Sequence, residues 1–199
     1  PVLRQMFTPE QREMLLTPAA LHAAEAHGDP YVELLQHAVL REDTGTMQLV
    51  SYAEARTYMH DVLLRDTDQM SMRHGLEVRV RLLDHRLVEY VIGLPDAIKR
   101  PNGYPKRLLV ESLASGLPSD IVDRPKQGFV LPFDPWMRAE LKPLCEHHLG
   151  PDGLQKLGVF QSEGLRSVWS SFLNEDGRVT WSRPWTLVAL GSWIEQLAL

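Results

Sequence analysis

In the run Leu76-Glu77-Val78-Arg79-Val80, a carboxylate and a guanidinium stand two residues apart between apolar side chains. In an extended chain Glu77 and Arg79 share one face, and Val78 and Val80 share the other. One face is then expected to pack and the other to carry charge. Such a pair either lines a site for a charged substrate or forms an ion network that anchors the segment. The stretch from Asp68 to His85 adds Asp68 and Asp84 to these charges, with Gly75 as a hinge. A buried charge needs a partner or costs several kcal/mol, so a plain core element would not carry so many. Asp84 most simply caps the helix that follows it.

Asp66 continues a stripe made by Ala55, Met59, Val62 and Leu63. An acid on the buried face of a helix is uncommon unless it is paired or faces a cavity. The alternative is that the helix unwinds near Asp66 and the side chain is simply wet. Asp61 and Arg65, four residues apart on the other side, read as a surface pair. Lys126 lies between Pro125 and Gly128, where no regular helix can run. A compact ammonium on such a loop suits a phosphate or a developing oxyanion; the other reading is a solvated loop lysine. Lys106 carries the same two readings.

The elements that would position these residues are mostly helical. Thr8-Pro9 and Thr17-Pro18 each place a capping hydroxyl before a proline, predicting helices over Pro9–Leu16 and Pro18–His27. A third opens at Pro30 and runs towards Leu40, and Arg41 to Gln48 reads as a loop. Ser51 is expected to cap a long helix carrying the Ala55 stripe on its buried face. Further helices are expected from Asp84 to Ile92, stopped by Gly93-Leu94-Pro95, from Arg107 to Ser115, and briefly from Pro118 to Val122. Gly128 to Pro132 reads as an irregular loop. Asp134-Pro135 starts a helix that Pro143 is expected to kink. Segments from Ser162 or Glu163 to Leu173 and from Arg178 to Leu197 complete the set, the last packing through Trp181, Trp185, Val188 and Trp193. Few segments alternate with period two, so no substantial sheet is expected.

Composition excludes several classes. The chain has 199 residues, 44% hydrophobic and 24% charged, as in an ordinary globular domain. A net charge of −5 gives nucleic-acid binding no electrostatic support. No stretch approaches the roughly 20 apolar residues that span a bilayer, and Pro1 to Phe7 lack a signal-peptide pattern. With Cys145 as the single cysteine there is no internal disulfide, and a reducing cytoplasm is the default compartment. The histidines show no metal-ligand spacing, so no metal site is expected. Adjacent His147 and His148 are assigned to solvated surface.

The run from Asp68 to His85 resembles the "SMxxGLEVRVPLLD" signature of the synthetase domain of glutamine-dependent asparagine synthetases. Lys106-Arg107-Leu108-Leu109 resembles that family's "KxxLR" element, and Arg124-Pro125-Lys126-Gln127-Gly128-Phe129 its "RxKxGF" element. Three matches in order make a specific signal, covering roughly Ser51 to Arg138. The resemblance implies a mainly α chain, the helical carboxy-terminal portion of an α/β ATP-pyrophosphatase-type synthetase domain that residues 1–199 represent in part.

In that family a carboxylate is activated with ATP to an acyl-adenylate, which ammonia then attacks. The resemblance therefore implies ATP and Mg2+ in the intact parent, with aspartate as the acceptor, glutamine as the nitrogen source and asparagine as the product. It gives Lys126 the role of stabilising the adenylate and the tetrahedral species after it. Asp66 falls at a position that varies among relatives and helps separate amidation from the ring closure of β-lactam synthetases. Glu77 and Arg79 match the "LEVR" positions that hold the site together, and Asp68 and Lys106 join them as substrate-binding candidates. Asp66, Glu77 and Lys126 are expected to converge on one concavity.

Two departures stand out. Arg81 replaces the family's proline, and the chain holds neither an SGGxDS loop, which cradles the pyrophosphate, nor the glutaminase domain. The expectation is a fragment inactive by itself, with no bound cofactor, whose partners are its small-molecule substrates and the rest of the parent chain; a homodimer stays open. The rival readings are amidation or ring closure of another carboxylate, and a non-catalytic helical module that binds a partner chain.

Overall fold

A computed structural model of the chain describes residues 6–36, 44–101, 106–113, 116–122, 124–125, 128, 131–174 and 179–197. Two helices open it, α1 (Pro9–Leu15) and α2 (Pro18–Ala26). Both begin as the local chemistry requires. Thr8 Oγ1 accepts the Gln11 N–H while Gln11 Oε1 accepts the Thr8 N–H, and Thr17 Oγ1 accepts the Ala20 N–H. Each satisfies donors that a helix start leaves open, and the following proline has no N–H to satisfy.

The middle of the chain holds α3 (Pro30–Gln36), α4 (Thr46–Arg56), a wide-turned π segment (Met59–Leu64), α5 (Arg65–Met72), α6 (His85–Gly93), α7 (Asp96–Lys99), α8 (Arg107–Ser112) and α9 (Ser119–Val122). The last stretch holds α10 (Phe133–Arg138), α11 (Lys142–Leu149), α12 (Ser162–Leu173) and α13 (Ser182–Leu197). Among the described residues no strand forms; Leu16 and Phe160 make one isolated antiparallel bridge. The mainly α expectation holds.

The chain divides into two compact units, one from Pro1–Asp29 and Gly128–Leu199, the other from Pro30–Gln127. The first contains the buried core: Leu15, Met137, Cys145, Leu149, Leu154, Leu165, Phe172, Leu187 and Val188. α1 joins it through Gln161, whose amide donates to the carbonyls of Glu13 and Leu16. Gly164 lets α12 approach, because a Cβ there would run into the Met14–Leu15 backbone. Arg138 locks the end of α12. Its guanidinium donates to the Phe172 and Leu173 carbonyls and to Asp134, and lies 4.3 Å over the Phe172 ring. It thereby satisfies carbonyls that a helix end leaves open.

Several boundaries differ from expectation. Pro143 does not kink a helix: the chain breaks at Ala139–Leu141, and the proline sits in the first turn of α11, where its missing N–H costs nothing. Trp193 is 57% exposed and is not a packing residue, unlike Trp181, which stacks on Phe133, and Trp185, which packs tilted against the same ring. α4 begins at Thr46, inside the expected loop, so Ser51 is a helix-interior residue and not a cap. The expected extension of α3 to Leu40 lies outside the described residues.

In the second unit no residue whose side chain is described is buried, and Val62, Leu63, Met70, Met72, Leu76, Val78, Val80 and Leu82 are exposed. The expected stripe is half-buried at Ala55 and Met59 and exposed at Val62 and Leu63, within the π segment, whose wider turn breaks the period the stripe rests on.

Candidate functional site

The predicted site residues that are described fall in α5, in the run that follows it, and just before α8. Asp66 and Asp68 lie in the first turn of α5, where acids complement the helix dipole, and both are exposed. α5 does not unwind at Asp66; the side chain is wet on an intact helix none of whose residues is buried. α5 ends at Met72, and Gly75 at φ +67° turns the chain into the run Leu76–Val80, which forms no regular element. A side chain at that φ is strained, so glycine suits the hinge.

In that run Arg79 Nε donates to Glu77 Oε1 at 2.7 Å, with side chains 82% and 69% exposed. The shared face of Glu77 and Arg79 is as expected. The packed opposite face is not, since Val78 and Val80 are exposed too. Arg81–Leu83 makes a short 3-10 turn with arginine in its first position. Asp84 then caps α6, its carboxylate accepting the Arg86 N–H at 3.0 Å and the Arg86 guanidinium at 3.1 Å. Those bonds hold the Asp84 carboxyl below its ordinary pKa. Asp61 bonds His60 Nδ1 at 2.7 Å in place of the expected partner Arg65.

Lys106 precedes α8 with φ +59°, a left-handed residue that swings the chain into the helix. It lines a cavity of about 510 Å³ with Lys99, Met59, Leu82, Val88 and Leu109. The volume suits a small ligand, and the wall is largely apolar. Lys99 is held there, its ammonium 3.4 Å from the Ile92 carbonyl and 3.6 Å from Asp96. Asp66, Asp68, Glu77 and Arg79 do not line this cavity. Lys126 lies outside the described residues, and with it the expected convergence of Asp66, Glu77 and Lys126.

The asparagine synthase family model matches residues 4–195, almost the whole chain. This chain belongs to the asparagine synthase family. It is 32% identical over 92 residues to asparagine synthetase (glutamine-hydrolyzing) 1 of Bacillus subtilis (strain 168), covering 46% of this chain and 15% of that relative. It is 43% identical over 75 residues to the asparagine synthetase (glutamine-hydrolyzing) of Mesocricetus auratus, covering 36% of this chain and 13% of the relative. The human protein of that name is 41% identical over a stretch of the same length. The chain thus spans a small fraction of the curated relatives it matches. No solved structure matches it significantly. Among the described residues no helix is long and apolar enough to cross a membrane. A helical chain of this kind accords with the helical part of the family's ATP-pyrophosphatase-type fold.

The first unit holds a cluster missed in the sequence. His148 of α11 is buried, 2% exposed, and so is not the solvated surface residue expected; its neighbour His147 is exposed. His147 Nε2 lies 2.7 Å from Glu195 Oε1 on α13, and His148 Nδ1 lies 3.8 Å from the same oxygen. Burial pushes the His148 pKa down, and the bond from His147 pulls the Glu195 carboxyl down. The pairing of α11 with α13 makes the cluster, and no spacing rule announces a partner 47 residues away.

Proposed function

We propose that this chain is part of the synthetase domain of a glutamine-dependent amidotransferase that converts aspartate to asparagine in an ATP-dependent reaction. The observation that carries the reading is the family match over residues 4–195, with relatives named asparagine synthetase (glutamine-hydrolyzing). In this reading a side-chain carboxylate oxygen of aspartate attacks the α-phosphorus of ATP and pyrophosphate leaves. Ammonia from glutamine adds to the acyl carbon of the adenylate. The tetrahedral species then expels AMP, and the nitrogen loses a proton as the amide forms.

Lys126 is assigned the charge-offsetting role. Negative charge builds on oxygen in both steps, and the Lys126 ammonium, between Pro125 and Gly128 in the sequence, is suited to follow it as a compact point charge. Asp66 is assigned to the position that separates amidation from ring closure. Glu77 and Arg79 hold the site together, and Asp68 and Lys106 contribute to substrate binding. Mg2+ would accompany ATP and prefers an octahedron of oxygen ligands. The metal-ligating group found among the described residues, His147, His148 and Glu195, offers two imidazoles instead. That group does not fit Mg2+, and no step is assigned to the ion.

The test is steady-state amidation by the intact parent enzyme, measured as asparagine, AMP and pyrophosphate from aspartate, glutamine and ATP. Lys126→Ala is expected to lower turnover roughly a hundredfold or more, equivalent to about 3–4 kcal/mol of barrier, with an unchanged melt. Lys126→Arg should not rescue it. Product that forms from another carboxylate but not from aspartate refutes the acceptor; near-normal turnover in the alanine variant removes Lys126 from the site.

A further inference from the structure

The cluster on α11 and α13 stands apart from the amidation reading and rests on its own geometry. One ligand atom from each of His147, His148 and Glu195 lies within 4.8 Å of the other two. Ligands about 2.0–2.1 Å from a tetrahedral metal are spaced by about 3.3 Å, and the two distances to Glu195 Oε1, 2.7 and 3.8 Å, bracket that edge. We propose that His147, His148 and Glu195 form a three-ligand site for a divalent transition metal of the zinc class, with the fourth position open to water.

Three features of the surroundings support a built site. His148 Nδ1 is a buried nitrogen with no hydrogen-bond partner. A native interior seldom leaves such a group unpaired, because it forfeits its bond to water and gains nothing. A metal ion supplies what that nitrogen lacks. Second, Ser192 Oγ lies 2.9 Å from His148 Nε2. With Nε2 protonated and donating to that hydroxyl, the lone pair is on Nδ1 and the ring is fixed in the ligating orientation, which is how outer hydrogen bonds prepare metal-binding imidazoles.

Third, residue 191 is glycine in the interior of α13, where glycine weakens a helix. A Cβ there would lie 2.7 Å from His148 Nδ1. Glycine therefore lets the His148 ring pack directly against α13, which brings its Nδ1 to the helix that carries Glu195. His147 and Glu195 are about half exposed, so an ion has a path in from solvent. Two imidazoles and one carboxylate suit zinc, nickel or copper better than magnesium or calcium, which favour all-oxygen shells.

The probe is Zn2+ alone, titrated calorimetrically into the untagged, chelator-treated chain, with Co2+ absorption reporting the coordination geometry. One ion per chain is expected, at micromolar affinity or tighter, with a rise in melting temperature on zinc addition. Glu195→Gln and His147→Gln each remove one ligand at a half-exposed position and should leave the metal-free fold intact by circular dichroism. Each is expected to weaken zinc binding at least tenfold, and Ser192→Ala by roughly tenfold to a hundredfold through the ring orientation. A wild-type chain that binds no zinc overturns the site. So does zinc binding that survives either ligand substitution unchanged, since the ion would then sit on other histidines.

Discussion

The Asp96 carboxylate accepts the backbone N–H of Met47 at 2.9 Å, across 49 residues of sequence. α4 starts at Gly45, which has no side chain to cap it, and a Cβ at that position would collide with the Asp96 carboxylate. Asp96 thus supplies the missing acceptor, while Gln48 closes the turn from inside through the Gly45 N–H and ties it to the Ile92 carbonyl. Asp96→Ala is expected to destabilise the second unit by about 1 kcal/mol, and Asp96→Asn much less, because either Asp or Asn can accept at a helix start. The measurement is amide hydrogen exchange of the α4 residues in the three proteins. Equal exchange in wild type and alanine variant would show that Asp96 is not the cap.

Glu77 and Arg79 separate their two readings cleanly. An exposed ion pair contributes at most about 1 kcal/mol, so Glu77→Gln should leave the melt of this chain nearly unchanged. In the intact parent the same substitution is expected to reduce amidation, because the pair is assigned to the substrate site and not to the core. A large loss of melting temperature with normal turnover would make it a structural anchor.

Cys145 is fully buried, and that burial, with Glu146 nearby adding to it, pushes its thiol from the usual 9.0 up to about 11. Below about pH 9 the thiol is protonated in both folded and unfolded chains and has no effect on stability. Between about pH 9 and 11 the unfolded thiol ionises while the folded one does not. The unfolded state then binds fewer protons, so stability falls as pH rises through that window. Urea titrations at pH 8 to 11 should show this decline in wild type and a flatter profile in Cys145→Ala. Iodoacetamide at pH 8 should label the chain only when urea is present; native labelling at the rate of a free thiol would place Cys145 at the surface.

The local grammar of this chain is legible residue by residue. Thr8 with Pro9, Thr17 with Pro18 and Asp84 before His85 announce helices correctly, because a cap and the N–H it satisfies lie within three residues of each other. The same range explains why the family is readable: its signature is contiguous sequence. What the sequence could not decide was every relationship made by chain that returns from far away. The start of α4 depends on a carboxylate 49 residues on. The stripe through Val62 and Leu63 runs into a wide turn that breaks a regular period, which no local signal announces. The burial of His148 depends on α13 packing over α11, with Gly191 providing the room and Glu195 and Ser192 the polar partners. Caps and hinges are short-range bonds that sequence neighbours set, whereas burial is a property of the surface that docks against a residue, and only tertiary packing chooses that surface.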